Sequence, residues 1–197
     1  MLNLLLPLGA YLVGSVSSAI IVSKLMGLPD PRTSGSNNPG ATNVLRLGGK
    51  KAAAITLIGD VLKGLLPVLV AKMFTGSTIT LSLVGIAAFL GHLYPVFFGF
   101  KGGKGVATAA GVFIGLSGIV TLLLMGIWLV TALVSRYSSL AALVATVSAP
   151  FLVLFFLPGV PFFLMACAIA AMLFWRHREN IRRLKGGEES KIKLSRG

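Results

Sequence analysis

Acidic side chains are scarce in this 197-residue chain, where five Asp and Glu stand against eighteen Lys and Arg. Charged residues of either sign make up only 12%, against about 25% in a soluble domain, so an ordinary water-soluble fold is disfavoured. Cysteine is nearly absent. Cys167 stands alone, which excludes an internal disulfide and any multi-cysteine metal site. What fills the chain instead is apolar: hydrophobic residues reach 55% and the mean hydropathy is +0.91. Intrinsic disorder is thereby excluded, because disordered chains are poor in such residues. A net charge of +13 in so apolar a chain marks the cytoplasmic side of a membrane rather than a nucleic-acid surface. These shortages together point to an all-α polytopic membrane protein.

The first apolar run, Leu2 to Met26, is long enough to cross a bilayer, which takes about 20 residues. No Lys or Arg precedes it, so it lacks the basic start of a cleaved signal peptide. Lys24, Arg32 and Arg46 follow, which puts the N-terminus outside and the first loop in the cytoplasm. Ala52 to Phe74 returns outward to a turn at Gly76-Ser77-Thr78, and Ile79 to Phe98 comes back in, delivering Lys101 and Lys104. No charge interrupts Gly105 to Ser135, where one helix of about 31 residues would extend roughly 46 Å against a core of about 30 Å. Two short helices turning near Gly115-Leu116-Ser117-Gly118 keep Arg136 inside. Pro158-Gly159-Val160-Pro161 likewise splits the stretch from Tyr137 to Trp175. The basic tail, Arg176, Arg178, Arg182, Arg183, Lys185, Lys191, Lys193 and Arg196, then falls on the cytoplasmic side. The expectation is about seven transmembrane helices, N-terminus outside and C-terminus cytoplasmic, in a single domain spanning residues 1–197. Only Lys72 would lie near the external face. Gly111 and Gly115 form a GxxxG pair suited to close helix contact.

Polar residues are informative in such a chain because membrane helices hide them. Three clusters stand out, all expected on the cytoplasmic side. The first, Ser34 to Arg46 (SGSNNPGATNVLR), offers hydroxyl and amide donors around Gly35, Pro39 and Gly40 together with one guanidinium able to grip a phosphate bidentately. A polar turn with an anchoring arginine is the plainer alternative. The second, Gly91 to Thr108, holds Gly102-Gly103-Lys104-Gly105 at a helix start, where backbone N–H groups, the helix dipole and one lysine converge on an anion. It is not a Walker A loop: Phe98 stands where the first Gly belongs, and Gly105 replaces the Ser or Thr after the lysine. The third, Arg176 to Lys191, puts His177 and Asn180 on one helical face with Glu179 among its basic residues. Trp175, Arg176 and Arg178 there suit interfacial anchoring. Deeper in the apolar segments, Asp60 and Lys63 stand one turn apart, either neutralising each other or lining the floor of a site. His92 suits a hydrogen bond between helices.

Several chemistries are missing. There is no G-x-S-x-G, no His/Cys/acid set for zinc, no acidic set for two metals, and no His-x4-Asp dyad after either histidine. The basic groups and the glycine turn point instead to one or two phosphate ligands. SGSNNPGATNVLR followed by GGKKAA, the Asp60-x-x-Lys63-Gly64 step, GHLYPVFFGFKGGKGVAT and RHRENIRRLKGGEE resemble, in order and spacing over nearly the whole chain, the acyl-phosphate-dependent glycerol-3-phosphate acyltransferases. One departure is Asn37-Asn38, where Gly-Asn is the commoner pair.

That resemblance implies a bacterial inner-membrane enzyme whose site opens on the cytoplasmic side and which needs neither cofactor nor metal. It would move an acyl group from acyl phosphate to glycerol 3-phosphate, giving lysophosphatidic acid and inorganic phosphate without a covalent enzyme intermediate. The substrates and membrane lipid are the implied partners, with no nucleic acid, and coupling to the soluble enzyme that forms acyl phosphate is a further possibility. The implied catalytic set is Ser36, Asn43, Arg46, Lys104, His177 and Asn180. The implied phosphate-binding set is Ser34, Gly35, Asn38, Gly40, Thr42, Lys63, Gly102, Gly103 and Gly105. Within these, the glycine turn and Lys104 bind one phosphate. Arg46, with Ser36, Asn38, Thr42 and Asn43, takes the other or the oxyanion, while His177 and Asn180 orient the glycerol hydroxyl. The resemblance favours glycerol phosphate at the glycine turn. Either His177 or a substrate phosphate oxygen takes the proton. All three clusters are expected to meet at one small pocket. A carrier of phosphorylated solutes is the competing class, although a carrier's site belongs near the bilayer midplane.

Overall fold

In the computed structural model, residues 2–192 are described, and they are helical apart from turns and loops. Lys193 and Arg196 of the basic tail lie outside the described residues. The chain forms two compact units, one ending at Leu116 and the other beginning at Ser117.

The first unit holds α1 (Leu2–Gly14), α2 (Ser18–Leu25), α3 (Ala41–Phe74), α4 (Thr78–Leu93), a 3-10 turn (Val96–Phe98) and α5 (Val106–Leu116). The first apolar run is therefore not one continuous helix: it breaks at Ser15–Ser17. Helix α3 begins at Ala41, well before the expected Ala52, and kinks at Gly49, whose φ of 77° no helical residue shares. A short helical segment thus lies ahead of the membrane-crossing length. Packing within this unit depends on glycines at two crossings, because a side chain there would overlap the facing backbone. On α1 and α4, Gly14 meets the Ala88 carbonyl and Gly91 meets Tyr11. On α3 and α5, Gly64 meets Thr108 and Gly111 meets the Val61 carbonyl, while Gly115 lies against Val68. The expected packing role of the Gly111–Gly115 pair is what the structure has.

The second unit holds α6 (Gly118–Ser135), α7 (Ser138–Phe156), α8 (Val160–Arg176) and α9 (Arg178–Lys185). Both expected breaks occur. Ser117 caps α6 by accepting from the Val120 N–H, and Pro161 enters the first turn of α8, where its missing N–H costs nothing. Met165, Ile169 and Leu173 of α8 and Val153 of α7 are buried in this unit. Arg136 shares an end with the tail: its carbonyl accepts from the Ile192 N–H at 2.7 Å, and the Lys191 ammonium lies 5.7 Å from the Tyr137 ring. Splitting the stretch from Tyr137 to Trp175 into two helices is what brings these together.

Five helical segments are long and apolar enough to cross a bilayer, six if the bent pair α8–α9 counts as one. The expected seventh is shorter than these. Helix α5 has 11 residues, a rise of about 17 Å against a core of about 30 Å. Large apolar side chains such as Leu4, Leu122, Val134 and Phe155 are exposed on the helices, as lipid-facing positions require.

Candidate active site

In the first unit, the loop before α3 and the loop before α5 lie together at one end. Arg32 Nη1 donates to the Phe98 carbonyl at 3.4 Å, and the Cβ position of Gly103 falls against the Pro39 carbonyl. Each loop runs into a helix N-terminus, at Gly40–Ala41 and at Gly105–Val106, so two partially positive helix ends stand at this site. Arg32 also grips Asp30, with Nη2 2.6 Å from Oδ2 and Nε within 3.1 Å of both oxygens. Hydrogen bonding from Arg32 holds the Asp30 carboxyl below the usual carboxylate range.

The loop before α3 is organised from inside by Asn43. Its side chain is buried, and its Nδ2 donates to the carbonyls of Pro31 at 3.0 Å and Ser34 at 2.9 Å. Its Oδ1 accepts the Ser36 N–H at 2.9 Å. Asn43 therefore holds the loop and is not the ligand donor expected of it. Gly35 sits over that amide at a φ of 66°, leaving no room for a Cβ. Asn37 is left-handed at a φ of 54°, a conformation that asparagine tolerates better than most residues, so Asn for the commoner Gly keeps the turn. Ser36 is exposed, and Ser34, Asn38 and Gly40 are half-buried. Thr42 and Arg46, one turn apart, are exposed on the helix face that does not carry Asn43.

The glycine turn is seated on the end of α4. Gly102, Gly103 and Gly105 are buried, and Lys104 between them is half-buried. The Cβ position of Gly102 coincides with the His92 and Leu93 carbonyls, and that of Gly105, at a φ of 92°, with the Phe89 ring. The Gly103 N–H donates to the His92 carbonyl at 3.2 Å, which withdraws it from the amides expected to meet a phosphate. Lys63 takes the neutralising alternative and not a place among the phosphate ligands. It is buried, 2.8 Å from Asp60 Oδ1, and donates to the Val16 carbonyl at 2.9 Å, so its charge serves the helix bundle. That carbonyl lies in the α1–α2 break and lacks a helical partner.

In the second unit, His177 and Asn180 are both buried. His177 Nδ1 lies 2.8 Å from the Leu173 carbonyl. A carbonyl only accepts, so Nδ1 carries a proton, and in the neutral form of the ring Nε2 is the acceptor nitrogen. Asn180 Nδ2 donates to Glu189 Oε1 at 2.6 Å. Glu189 is the residue that sequence reasoning missed. Its Oε1 also accepts from Ser139 at 2.6 Å, and its Oε2 lies 2.7 Å from Arg183 Nε. The available signal was the pair of acids closing an otherwise basic segment, Gly186-Gly187-Glu188-Glu189.

Burial raises the affinity of Glu189 for its proton, but hydrogen bonds from Ser139, Asn180 and Arg183 outweigh this, and its pKa is lowered. A carboxylate depressed in the folded state stabilises above its unfolded pKa, and the contribution disappears as pH falls through the folded value. At neutral pH the wild-type protein should therefore melt above Glu189→Gln, which sets an amide against Arg183. The gap should close as pH falls through and below the ordinary glutamate range. Parallel melting curves at every pH would refute the ionic role.

The family model described as glycerol-3-phosphate acyltransferase matches residues 4–187. The glycerol-3-phosphate acyltransferase of Thioalkalivibrio sulfidiphilus is 56% identical over 188 residues, covering 95% of this chain and 92% of the relative. That of Methylococcus capsulatus is 53% identical over 193 residues, covering 98% and 97%. Among solved structures, PlsY (YgiH), an integral membrane glycerol 3-phosphate acyltransferase in its glycerol 3-phosphate form, superposes with a TM-score of 0.93 at 45% identity, covering 97% of this chain and 96% of that one. Its lysophosphatidic acid form gives 0.90 at 44%, covering 97% and 95%.

Proposed function

Because the chain belongs to the glycerol-3-phosphate acyltransferase family, we propose that it moves a fatty acyl group from acyl phosphate to the 1-hydroxyl of glycerol 3-phosphate. It is a multi-pass membrane acyltransferase. The donor, the residue roles and the side of the membrane are the finer parts of this reading. The observation that carries them is the meeting, at one end of the first unit, of the Ser34–Arg46 loop with the Gly102–Gly105 turn, each leading into a helix N-terminus.

The glycerol oxygen attacks the acyl carbonyl carbon, the bond from that carbon to the phosphate oxygen breaks, and inorganic phosphate leaves. Acyl phosphate is a mixed anhydride with a good leaving group, so the enzyme needs no nucleophile of its own. Positioning supplies up to about 7–11 kcal/mol, and cationic stabilisation of the oxyanion and departing phosphate adds to it. Lys104 and the turn amides of Gly102 and Gly105 bind the phosphate of glycerol 3-phosphate. Arg46, with Ser36 and Thr42, takes the acyl phosphate. His177 accepts the hydroxyl proton at Nε2, and Asn180 orients the hydroxyl. The chain works as one acyltransferase domain in the bacterial inner membrane, its N-terminus outside and its site on the cytoplasmic side, where Arg32, Arg46, Lys101 and Lys104 collect. There it draws its donor from the soluble enzyme that forms acyl phosphate.

Purified protein in micelles, given both substrates, should release inorganic phosphate and form lysophosphatidic acid together. A carrier needs sealed compartments and would do neither. Arg46→Lys should lower kcat/KM by about 10- to 100-fold, because an ammonium cannot make the paired contact of a guanidinium. Near-normal turnover would remove Arg46 from the site.

A further inference from the structure

Three ionisable side chains inside the first unit have no part in the reaction as written: Asp60, Lys63 and His92, each 6% exposed or less. Asp60 Oδ1 lies 2.8 Å from Lys63 Nζ and 3.6 Å from His92 Nδ1, the first a hydrogen-bonded ion pair and the second an electrostatic contact. Apolar residues would join α3 to α4 at lower cost, because burying charges in a membrane segment is expensive even when they are paired. The cluster is therefore poorly explained by packing alone.

Its geometry leads to the phosphate-binding turn. His92 faces Asp60 through Nδ1, and its Nε2 occupies the space that a Gly103 side chain would fill. The His92 carbonyl accepts the Gly103 N–H at 3.2 Å and also fills the Cβ position of Gly102. At the opposite end, Lys63 is fixed by the Val16 carbonyl in the α1–α2 break. Contacts thus run from that break through Lys63 and Asp60 to the His92 ring and on to the face of Gly103, and both glycines before Lys104 rest on His92.

We propose that Asp60 and His92 are positioning residues for the acyl acceptor: the ion pair fixes the His92 ring, and His92 sets the height at which the Gly102–Gly105 turn presents its amides and Lys104 to the phosphate of glycerol 3-phosphate. This rests on the assignment of that phosphate to the glycine turn. The consequence is selective. Loosening the ring disturbs acceptor binding, while the donor, held elsewhere, is affected far less.

The test is steady-state kinetics of the full-length protein in detergent, with glycerol 3-phosphate and acyl phosphate varied separately and the melting temperature recorded for each variant. His92→Leu should raise KM for glycerol 3-phosphate by about tenfold or more and change KM for acyl phosphate by less than about threefold. His92→Gln, which keeps a polar atom beside Gly103, should recover most of the loss. Asp60→Asn combined with Lys63→Met removes both charges together and leaves only the Val16 carbonyl without its lysine, a smaller cost than a lone buried charge, so it should fold and show the same selective rise even if His92→Leu does not fold. An unchanged KM for glycerol 3-phosphate in the double variant overturns the proposal, as does a fall in kcat and melting temperature with neither KM moved. Lys104→Ala separates the levels. If it raises KM for glycerol 3-phosphate while the His92 and Asp60/Lys63 variants do not, the positioning role alone is wrong. If Lys104→Ala leaves that KM unchanged, the phosphate assignment falls and takes this inference with it.

Discussion

Gly102→Ala should reduce kcat/KM by about 100-fold or more while the protein remains folded in detergent. The added methyl would coincide with the His92 and Leu93 carbonyls, which are backbone at the C-terminal end of α4 and have no rotamer to change. Overpacking of this kind costs about 1–3 kcal/mol, and the turn relieves it by lifting away from α4. A lift of about 1 Å carries Lys104 and the neighbouring amides out of register with the phosphate, which is enough to lose about two orders of magnitude. Gly118→Ala is the matched control, since nothing stands within 4 Å of its Cβ position, and it should behave as wild type. Gly102→Ala with near-normal kcat/KM would mean that the turn does not bind substrate where it is seated.

The breaks in the chain were legible wherever a residue type enforces them. Ser117 between glycines and the Pro158–Pro161 step act through local backbone chemistry, which needs no knowledge of the fold. The Gly111–Gly115 pair was legible for the same reason. The break at Ser15–Ser17 lacked that signal, being a serine-rich stretch inside an apolar run whose freed Val16 carbonyl is satisfied by Lys63, 47 positions away. Helix α5 is shorter than its apolar run implied, because hydropathy measures polarity and not where a helix starts. Site residues separated along a similar line. Their positions in the two loops were readable, but whether a donor meets a ligand or the protein was not. Asn43, Lys63 and the Gly103 amide all have the right chemistry for a phosphate, yet each is engaged by a carbonyl that folding brings to it, and only the Asp60 partner of Lys63 was readable from spacing. Glu189 escaped notice because its meaning depends on Ser139, 50 positions earlier.

Asn43→Asp should abolish most activity at neutral pH and open the loop it holds. One carboxylate oxygen can still accept the Ser36 N–H, but the other would face the Pro31 and Ser34 carbonyls, now about 3 Å away with no hydrogen between them. The site is 1% exposed, so water cannot compensate. Leaving buried polar groups unsatisfied costs about 1–3 kcal/mol each, and more where one is charged. What then remains to hold the loop is Arg32 on Asp30 and the Phe98 carbonyl, with short backbone turns such as the Asn37 N–H to the Ser34 carbonyl. Protonating the introduced carboxyl restores one of the two lost donors, so activity relative to wild type should rise as pH is lowered from neutral. Asn43→Ala leaves the carbonyls unpaired without adding charge, and should be impaired less at neutral pH and show no such recovery. Faster cleavage between Thr33 and Asn38 under limited proteolysis would register the loop's release directly. If Asn43→Asp retains wild-type turnover and protease resistance, the amide is not what shapes this loop, and a direct role for Asn43 toward substrate is excluded by the same result.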